Sequence, residues 1–224
     1  MKLILPIFII FLFIGCYANP NKAIQKLAKS DKLEDKEKAS NEYKTAINYM
    51  FDAYSSYAGL NRDIGYRLMI QQFYKPAIEH FKIATNLKNS DASSYFWMGV
   101  CYANLYKNTK EREFLEEAEK YYNIALNIMP NNRELIYAYS QLLIFSLNRY
   151  DEAIEFLKDY VYNLTNGMEP KGYFLLARAY YMVEDYESSF RTYNEMYKFK
   201  KKLTKSELEQ LNEFVRVTGE LIRR

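Results

Sequence analysis

Apolar positions along this chain fall into three regimes. Residues 3–14 form an unbroken apolar run behind Met1-Lys2 and ahead of Gly15-Cys16. Residues 16–38 are rich in Lys, Asp and Glu with few large apolar side chains, the composition of a solvated tether carrying a frayed helical turn around Ile24 and Leu27. From residue 39 onward apolar side chains recur three and four positions apart, the period of helices that bury one stripe. Tyr43, Ala46, Ile47, Met50, Ala53 and Tyr54 mark an amphipathic N-terminal helix over 39–57, which would close whatever follows or form half of a degenerate extra unit. At the other end Thr204-Lys-Ser-Glu207 reads as a capping box that opens a last helix over 204–224, with Leu208, Leu211, Val215 and Ile222 as its apolar face.

Between these ends the pattern repeats. Ile64-Gly65 and Met98-Gly99 stand 34 residues apart, each glycine followed three positions on by Leu68 or Tyr102. Downstream, Ala77, Phe81 and Ala84 are spaced four and three. That spacing returns as Ala118, Tyr122 and Ala125, then as Ala153, Leu157 and Tyr160, and finally as Ser189, Tyr193 and Met196. Tyr137, Gln141 and Ile144, then Tyr173, Ala177 and Tyr180, hold the first-helix places in the later copies. A small residue in one helix lets its neighbour cross closely, and the spacing puts all of these residues on one stripe.

This pattern resembles the tetratricopeptide repeat, a 34-residue helix-turn-helix unit. The resemblance covers residues 58–203 as four units, 58–91, 92–133, 134–169 and 170–203, and implies an all-α, right-handed superhelical array with a capping helix at each end. One hairpin cannot cover its own apolar face, so four stack into a continuous core. Two departures carry expectations. Gly99 to Ala118 is 19 residues where Gly65 to Ala77 is 12, so the second unit should have longer helices joined by a polar loop over Lys107 to Glu113. Gln141 replaces the small residue of the third unit, which should loosen that crossing.

The opening residues carry an address. The apolar run is shorter than the roughly 20 residues a helix needs to span a bilayer, and a charged start with a small residue at its end describes a secretory signal. Phe13-Ile14-Gly15-Cys16 resembles the lipobox of bacterial lipoproteins. The resemblance implies cleavage after residue 15, lipidation of Cys16, and an envelope protein anchored on a periplasmic or outer surface. An ordinary signal peptide cut nearby and an uncleaved anchor are the other readings of the same run.

In tetratricopeptide arrays ligands lie along the hollow lined by the first helix of each unit. Projected here, that face takes Arg62, Tyr66 and Met69 from the first unit, and Phe96, Val100 and Asn104 from the second. The third supplies Leu142 and Phe145, and the fourth Phe174, Arg178 and Tyr181. An apolar and aromatic groove of this kind suits an amphipathic helix, an extended apolar peptide, or the chain's own terminal helix.

Composition mostly narrows the chemistry. The 23 Tyr and 14 Phe are set against 7 Gly and 5 Pro, too few turn signals for a sandwich or barrel. A formal charge of +3 from 31 basic and 28 acidic residues makes no electrostatic case for nucleic acid. One His and two Cys leave little for a zinc site, histidine catalysis or a disulfide framework. His80 reads as a surface or interface residue, Cys101 as an inert buried filler, and Trp97 as packing between the first two units. Glu116, Glu117 and Glu119 read as a solvated face. No phosphate-binding loop or metal-ligand spacing is present, so no cofactor, metal or small-molecule substrate is expected. The expected function is a membrane-anchored, non-enzymatic scaffold for a protein or peptide partner in the cell envelope. The alternatives are a surface lipoprotein that meets host or environmental molecules, and the regulatory subunit of an enzyme complex.

Overall fold

The computed structural model describes residues 24–26 and 28–223, and every regular element among them is helical. The expected leader at 1–15, Cys16, and Leu27 of the expected helical turn lie outside the described residues. The chain divides into two units, Met1–Tyr57 and Ala58–Arg224. The division falls inside the first long helix, α1 (Leu33–Ile70).

In the first unit a short helical piece at 24–26 precedes a turn in which Ser30 Oγ donates to Asp35 Oδ2 at 2.6 Å and accepts from the Lys32 amide at 3.2 Å. Ile24 and Ala39 are buried. Residues 33–38, assigned to the tether by composition, are therefore helical. Glu34 and Asp35 sit in the first turn, where the exposed amides favour acids, and Glu34 and Lys38 are spaced i,i+4. Local charge order builds this helix where hydrophobicity gives no sign of it.

The second unit is a run of helical hairpins. Residues 58–70 of α1 meet α2 (Tyr74–Leu87) through Gly65 against Phe81 and Asn61 against His80, and α3 (Ala92–Thr109) pairs with α4 (Arg112–Ile128). Next come α5 (Arg133–Leu142), drawn out by a π turn at Leu143–Leu147, and α6 (Tyr150–Lys158), drawn out by another at Asp159–Leu164. Then α7 (Pro170–Met182) pairs with α8 (Tyr186–Glu195), which ends in a 3-10 turn at Met196–Phe199, and α9 (Lys205–Ile222) packs on α8.

The small residues hold the hairpins closed. A Cβ on Gly65 would stand 2.8 Å from the Phe81 ring and 3.1 Å from the Ala77 carbonyl oxygen. One on Gly99 would stand 2.8 Å from the Tyr122 ring. In the fourth hairpin the Ser189 hydroxyl donates to the Ala177 carbonyl at 2.8 Å. Ala77, Ala118, Ala153 and Ser189, which open the second helices, are all fully buried.

The third hairpin corrects the expected register. Gln141 is exposed, while Ser140 is fully buried with no partner for its hydroxyl. Ser140, one residue earlier, is therefore the small crossing residue. From Ser140 to Ala153 is 13 residues, one more than the 12 of the first and fourth hairpins. The π turn at Leu143–Leu147 takes up that residue, since a π bulge is an α-helix with one residue inserted.

In the second hairpin the extra residues lengthen both helices, as expected, but the joint is only Lys110-Glu111, with Lys110 in the left-handed region (φ 63°). Most of the charged run is helical. Its added turns carry Phe114, which faces Tyr102 at 6.2 Å and lies under the Lys75 ammonium.

At the C-terminus the capping box is present: Thr204 Oγ accepts from the Glu207 amide, and the Glu207 carboxylate accepts from the Thr204 amide at 2.7 Å. Leu211 and Thr218 are buried, and the Phe214 ring stacks on Tyr193 at 5.1 Å. Ile222, predicted on the same face, is exposed.

Tyrosine supplies much of the core. Tyr122, Tyr139, Tyr160, Tyr173 and Tyr193 are buried, with centroid contacts such as Tyr122 to Tyr139 at 5.7 Å and Tyr137 to Tyr160 at 5.7 Å. The rings fill space, and some of their hydroxyls reach polar partners. Tyr160 donates to Glu169 Oε2 at 2.6 Å, and Tyr173 accepts from the Lys198 ammonium at 2.6 Å.

Candidate functional site

The first helices of successive hairpins meet through two side-chain pairs. Tyr66 on α1 lies 5.1 Å from the half-buried Trp97 on α3, centroid to centroid. Trp97 in turn lies 4.3 Å from Phe96. In the later hairpins the Arg178 guanidinium of α7 sits 4.8 Å from the centroid of the Phe145 ring, which the π turn after α5 presents to solvent at 53% exposure. Tyr181, one turn beyond Arg178, is partly exposed and meets Tyr186 edge-on at 5.5 Å.

The eleven projected groove residues separate into three groups. Tyr66, Phe145, Arg178 and Tyr181 are accessible. Arg62, Val100, Asn104 and Phe174 are half-buried. Arg62 is held within 3.7 Å of both Asp63 and the buried Asp91, which caps α3; the Asn104 amide donates to the Val100 carbonyl at 2.8 Å; Phe174 sets its edge on Tyr193 at 6.3 Å. Met69, Phe96 and Leu142 are core residues and line no open surface. Met69 packs in the cluster of Phe81, Met98 and Cys101, and Phe96 lies beside Tyr122 at 6.2 Å. Leu142 is buried because the register runs through Ser140, which makes it the counterpart of buried Cys101.

Exposed apolar residues outside the projection include Ile70 and Phe73 at the α1–α2 joint, and Met182 next to Tyr181 in the chain. Ile70 and Met182 end their helices and Phe73 sits in the joint, so none belongs to a recurring stripe.

The ionisable groups here serve packing. Burial pushes the Cys101 thiol up to about 12 and raises Tyr122 further, while Tyr139 and Tyr193 are pushed up to about 12, burial again being the main cause. His80 Nδ1 lies 2.9 Å from Asn61 Oδ1, tying α2 to α1. Glu119, expected on a solvated face, instead shares Arg149 with Glu152 and so links the second and third hairpins. Glu116 and Glu117 pair locally with Arg112 and Lys120. Among the described residues no group of three or more His, Cys, Asp or Glu side chains is placed to hold a metal ion.

No family model and no curated protein matches the chain. Solved structures do. MamA from Desulfovibrio magneticus superposes with a TM-score of 0.57 at 20% identity, over 74% of this chain and 95% of that one. YrrB, described as a tetratricopeptide protein with an unusual peptide-binding site, gives 0.58 at 16% identity, over 70% of this chain and 74% of its own. PilW, described as a widely conserved type IV pilus biogenesis factor, gives 0.52 at 15% identity, over 62% and 60%. The fold is that of the tetratricopeptide superhelix, the architecture expected from the repeat.

Proposed function

We propose that the chain is a lipid-anchored tetratricopeptide scaffold that binds a protein or peptide partner in the bacterial cell envelope and catalyses no reaction. The observation that carries the binding reading is the pairing of Tyr66 with Trp97 and of Phe145 with Arg178 across successive first helices. Tyr66 and Phe145 are exposed and Trp97 is half-buried, and a guanidinium lies over the Phe145 ring. Flat rings with an adjacent charged fork bind apolar peptide side chains at small entropic cost. The peptide-binding site in the description of YrrB and the pilus role in that of PilW are consistent with this reading. The anchor rests on Gly15-Cys16 at the end of the apolar run, and three acyl chains at ~0.8 kcal/mol per methylene would hold the mature protein on a membrane.

Two experiments test the parts separately. Radiolabelled palmitate should enter the wild-type chain and fail to enter Cys16→Ala; equal labelling of both removes the anchor. A lipid-preserving pull-down from native membranes should recover a partner that Phe145→Glu with Arg178→Glu loses, while the helical circular dichroism stays unchanged. A partner retained by that variant places recognition elsewhere. Protease treatment of intact cells separates a periplasmic scaffold, which survives, from a surface lipoprotein, which is cut.

A further inference from the structure

Two hairpin joints meet at one corner of the second unit. The joint between α8 and α9 holds five lysines in eight residues, Lys198, Lys200, Lys201, Lys202 and Lys205. Phe199 is buried, Leu203 packs against the core, and the Leu203 amide donates to the Phe199 carbonyl at 3.3 Å. The turn between these two apolar feet holds Lys200, Lys201 and Lys202 outward, and all three are exposed. Among the described residues they find no carboxylate partner, whereas Lys205 reaches Glu209 at 3.9 Å. The joint between α6 and α7 comes alongside. A Cβ on Gly167, whose φ is +65°, would stand 3.2 Å from the Lys198 ammonium, and that ammonium donates to the Tyr173 hydroxyl at 2.6 Å. Met168, next in the chain, is 65% exposed. Tyr162, 45% exposed, meets the Tyr173 ring edge-on at 6.0 Å. Glu195 lies beside the Tyr162 hydroxyl and offsets part of the positive charge.

We infer that this corner docks on the surface of an anionic lipid bilayer, with Met168 and Tyr162 at headgroup level and Lys200, Lys201 and Lys202 among the lipid phosphates. The inference rests on the anchored reading only for the nearness of a membrane. Three features select this occupant. Every basic residue from 198 to 205 is a lysine. A compact charge on a flexible stem suits mobile headgroups, whereas carboxylates and phosphates at fixed positions favour the arginine fork. The most exposed apolar member is a methionine at the tip of a joint, which can enter a fluid interface but offers a nucleic-acid base no ring to stack on. Tyrosine, with an apolar ring and a polar hydroxyl, is a residue that rests at the boundary between headgroups and acyl chains. Each lysine near an anionic surface contributes about a fivefold gain in partition, so three together give on the order of a hundredfold. A lipid on a tether keeps the array near the bilayer; this corner fixes which end of the hairpins faces it.

The test uses the full-length chain, purified in detergent and reconstituted into vesicles of phosphatidylcholine alone or with an equal part of phosphatidylglycerol. Met168→Cys carries an environment-sensitive dye. The parent chain should take up no dye, because Cys101 is buried and alkylation occupies the Cys16 thiol. Dye on the parent reports failure of the anchor, and the difference between the two chains still reads position 168. The dye should brighten and shift to the blue in the anionic vesicles alone, and high salt should reverse the change. Adding Lys200→Gln, Lys201→Gln and Lys202→Gln together should abolish the shift while the helical circular dichroism stays unchanged. Successive joints alternate between the two ends of the hairpins, so dye on Glu111→Cys, exposed at the α3–α4 joint, should report water in both vesicles. Equal signals in the two vesicle types, a shift that survives the three glutamines, or an equal shift at position 111 would each overturn the inference. So would a single-stranded oligonucleotide or polyglutamate that moves the dye in neutral vesicles as phosphatidylglycerol does, since the lysines would then serve a dissolved polyanion.

Discussion

The ring of Tyr122 lies on the backbone of Gly99 so closely that a Cβ there would stand 2.8 Å from its Cδ1 atom. Gly65 and Phe81 stand in the same relation one hairpin earlier. Gly99→Ala should force the buried ring out of place and lower unfolding stability by about 1–3 kcal/mol. Gly59→Ala has nothing within 4 Å and should add about 0.5–1 kcal/mol through helix propensity alone. Urea midpoints of the two variants should move in opposite directions, and a neutral Gly99→Ala would remove the close crossing as the device that holds the hairpin.

Phe96 and Phe145 were projected onto the same groove, yet one is core and the other surface. Phe96→Glu should cost several kcal/mol, since it leaves an unpaired carboxylate beside Tyr122. Phe145→Glu should fall within about 0.5 kcal/mol of wild type. Thermal melts rank the two, and similar melting points would mean that the burial difference is wrong.

The register of the third hairpin makes a sharper forecast. Removing the unsatisfied hydroxyl in Ser140→Ala should raise stability by about 1 kcal/mol. Gln141→Ala, on the exposed side, should change little. If Gln141→Ala proves to be the larger perturbation, the π turn does not shift the register.

The tyrosine core sets an alkaline limit. Burial holds Tyr139 and Tyr193 protonated up to about 12, above the unfolded value near 10. A folded value above the unfolded one means that this contribution is whole below pH ~10 and is lost as pH climbs through the folded values. The buried rings should therefore ionise only as the fold is lost, so that the last rise in tyrosinate absorbance and the loss of helical circular dichroism coincide between those limits. Tyrosines that ionise fully while the helical signal persists would contradict the burial of these rings.

Thr204→Ala removes one half of the capping box and should cost about 1 kcal/mol. Amide exchange should quicken first in the opening turns of α9. Uniform quickening across the whole chain would indicate that α9 acts as more than a local cap.

The repeat was plain in the chain itself because its signals are local. Small residues at fixed offsets from large rings record where two helices must approach, and Thr204 with Glu207 closes its own bonds within one turn. That much needs no knowledge of neighbours. The helical start at Leu33 was not legible, because ordered charges rather than apolar spacing build it.

What the sequence by itself determined is therefore the hairpin and its stacking, since each depends on small residues and rings at fixed offsets within one repeated period. Only the tertiary structure decided which apolar side chains stay hidden. A single residue absorbed by the π turn put Ser140 in the place expected for Gln141 and sent Leu142 into the core. Met69 and Phe96 followed because side chains turn toward whatever gap a neighbouring helix leaves, and no one-dimensional spacing records the shape of that gap.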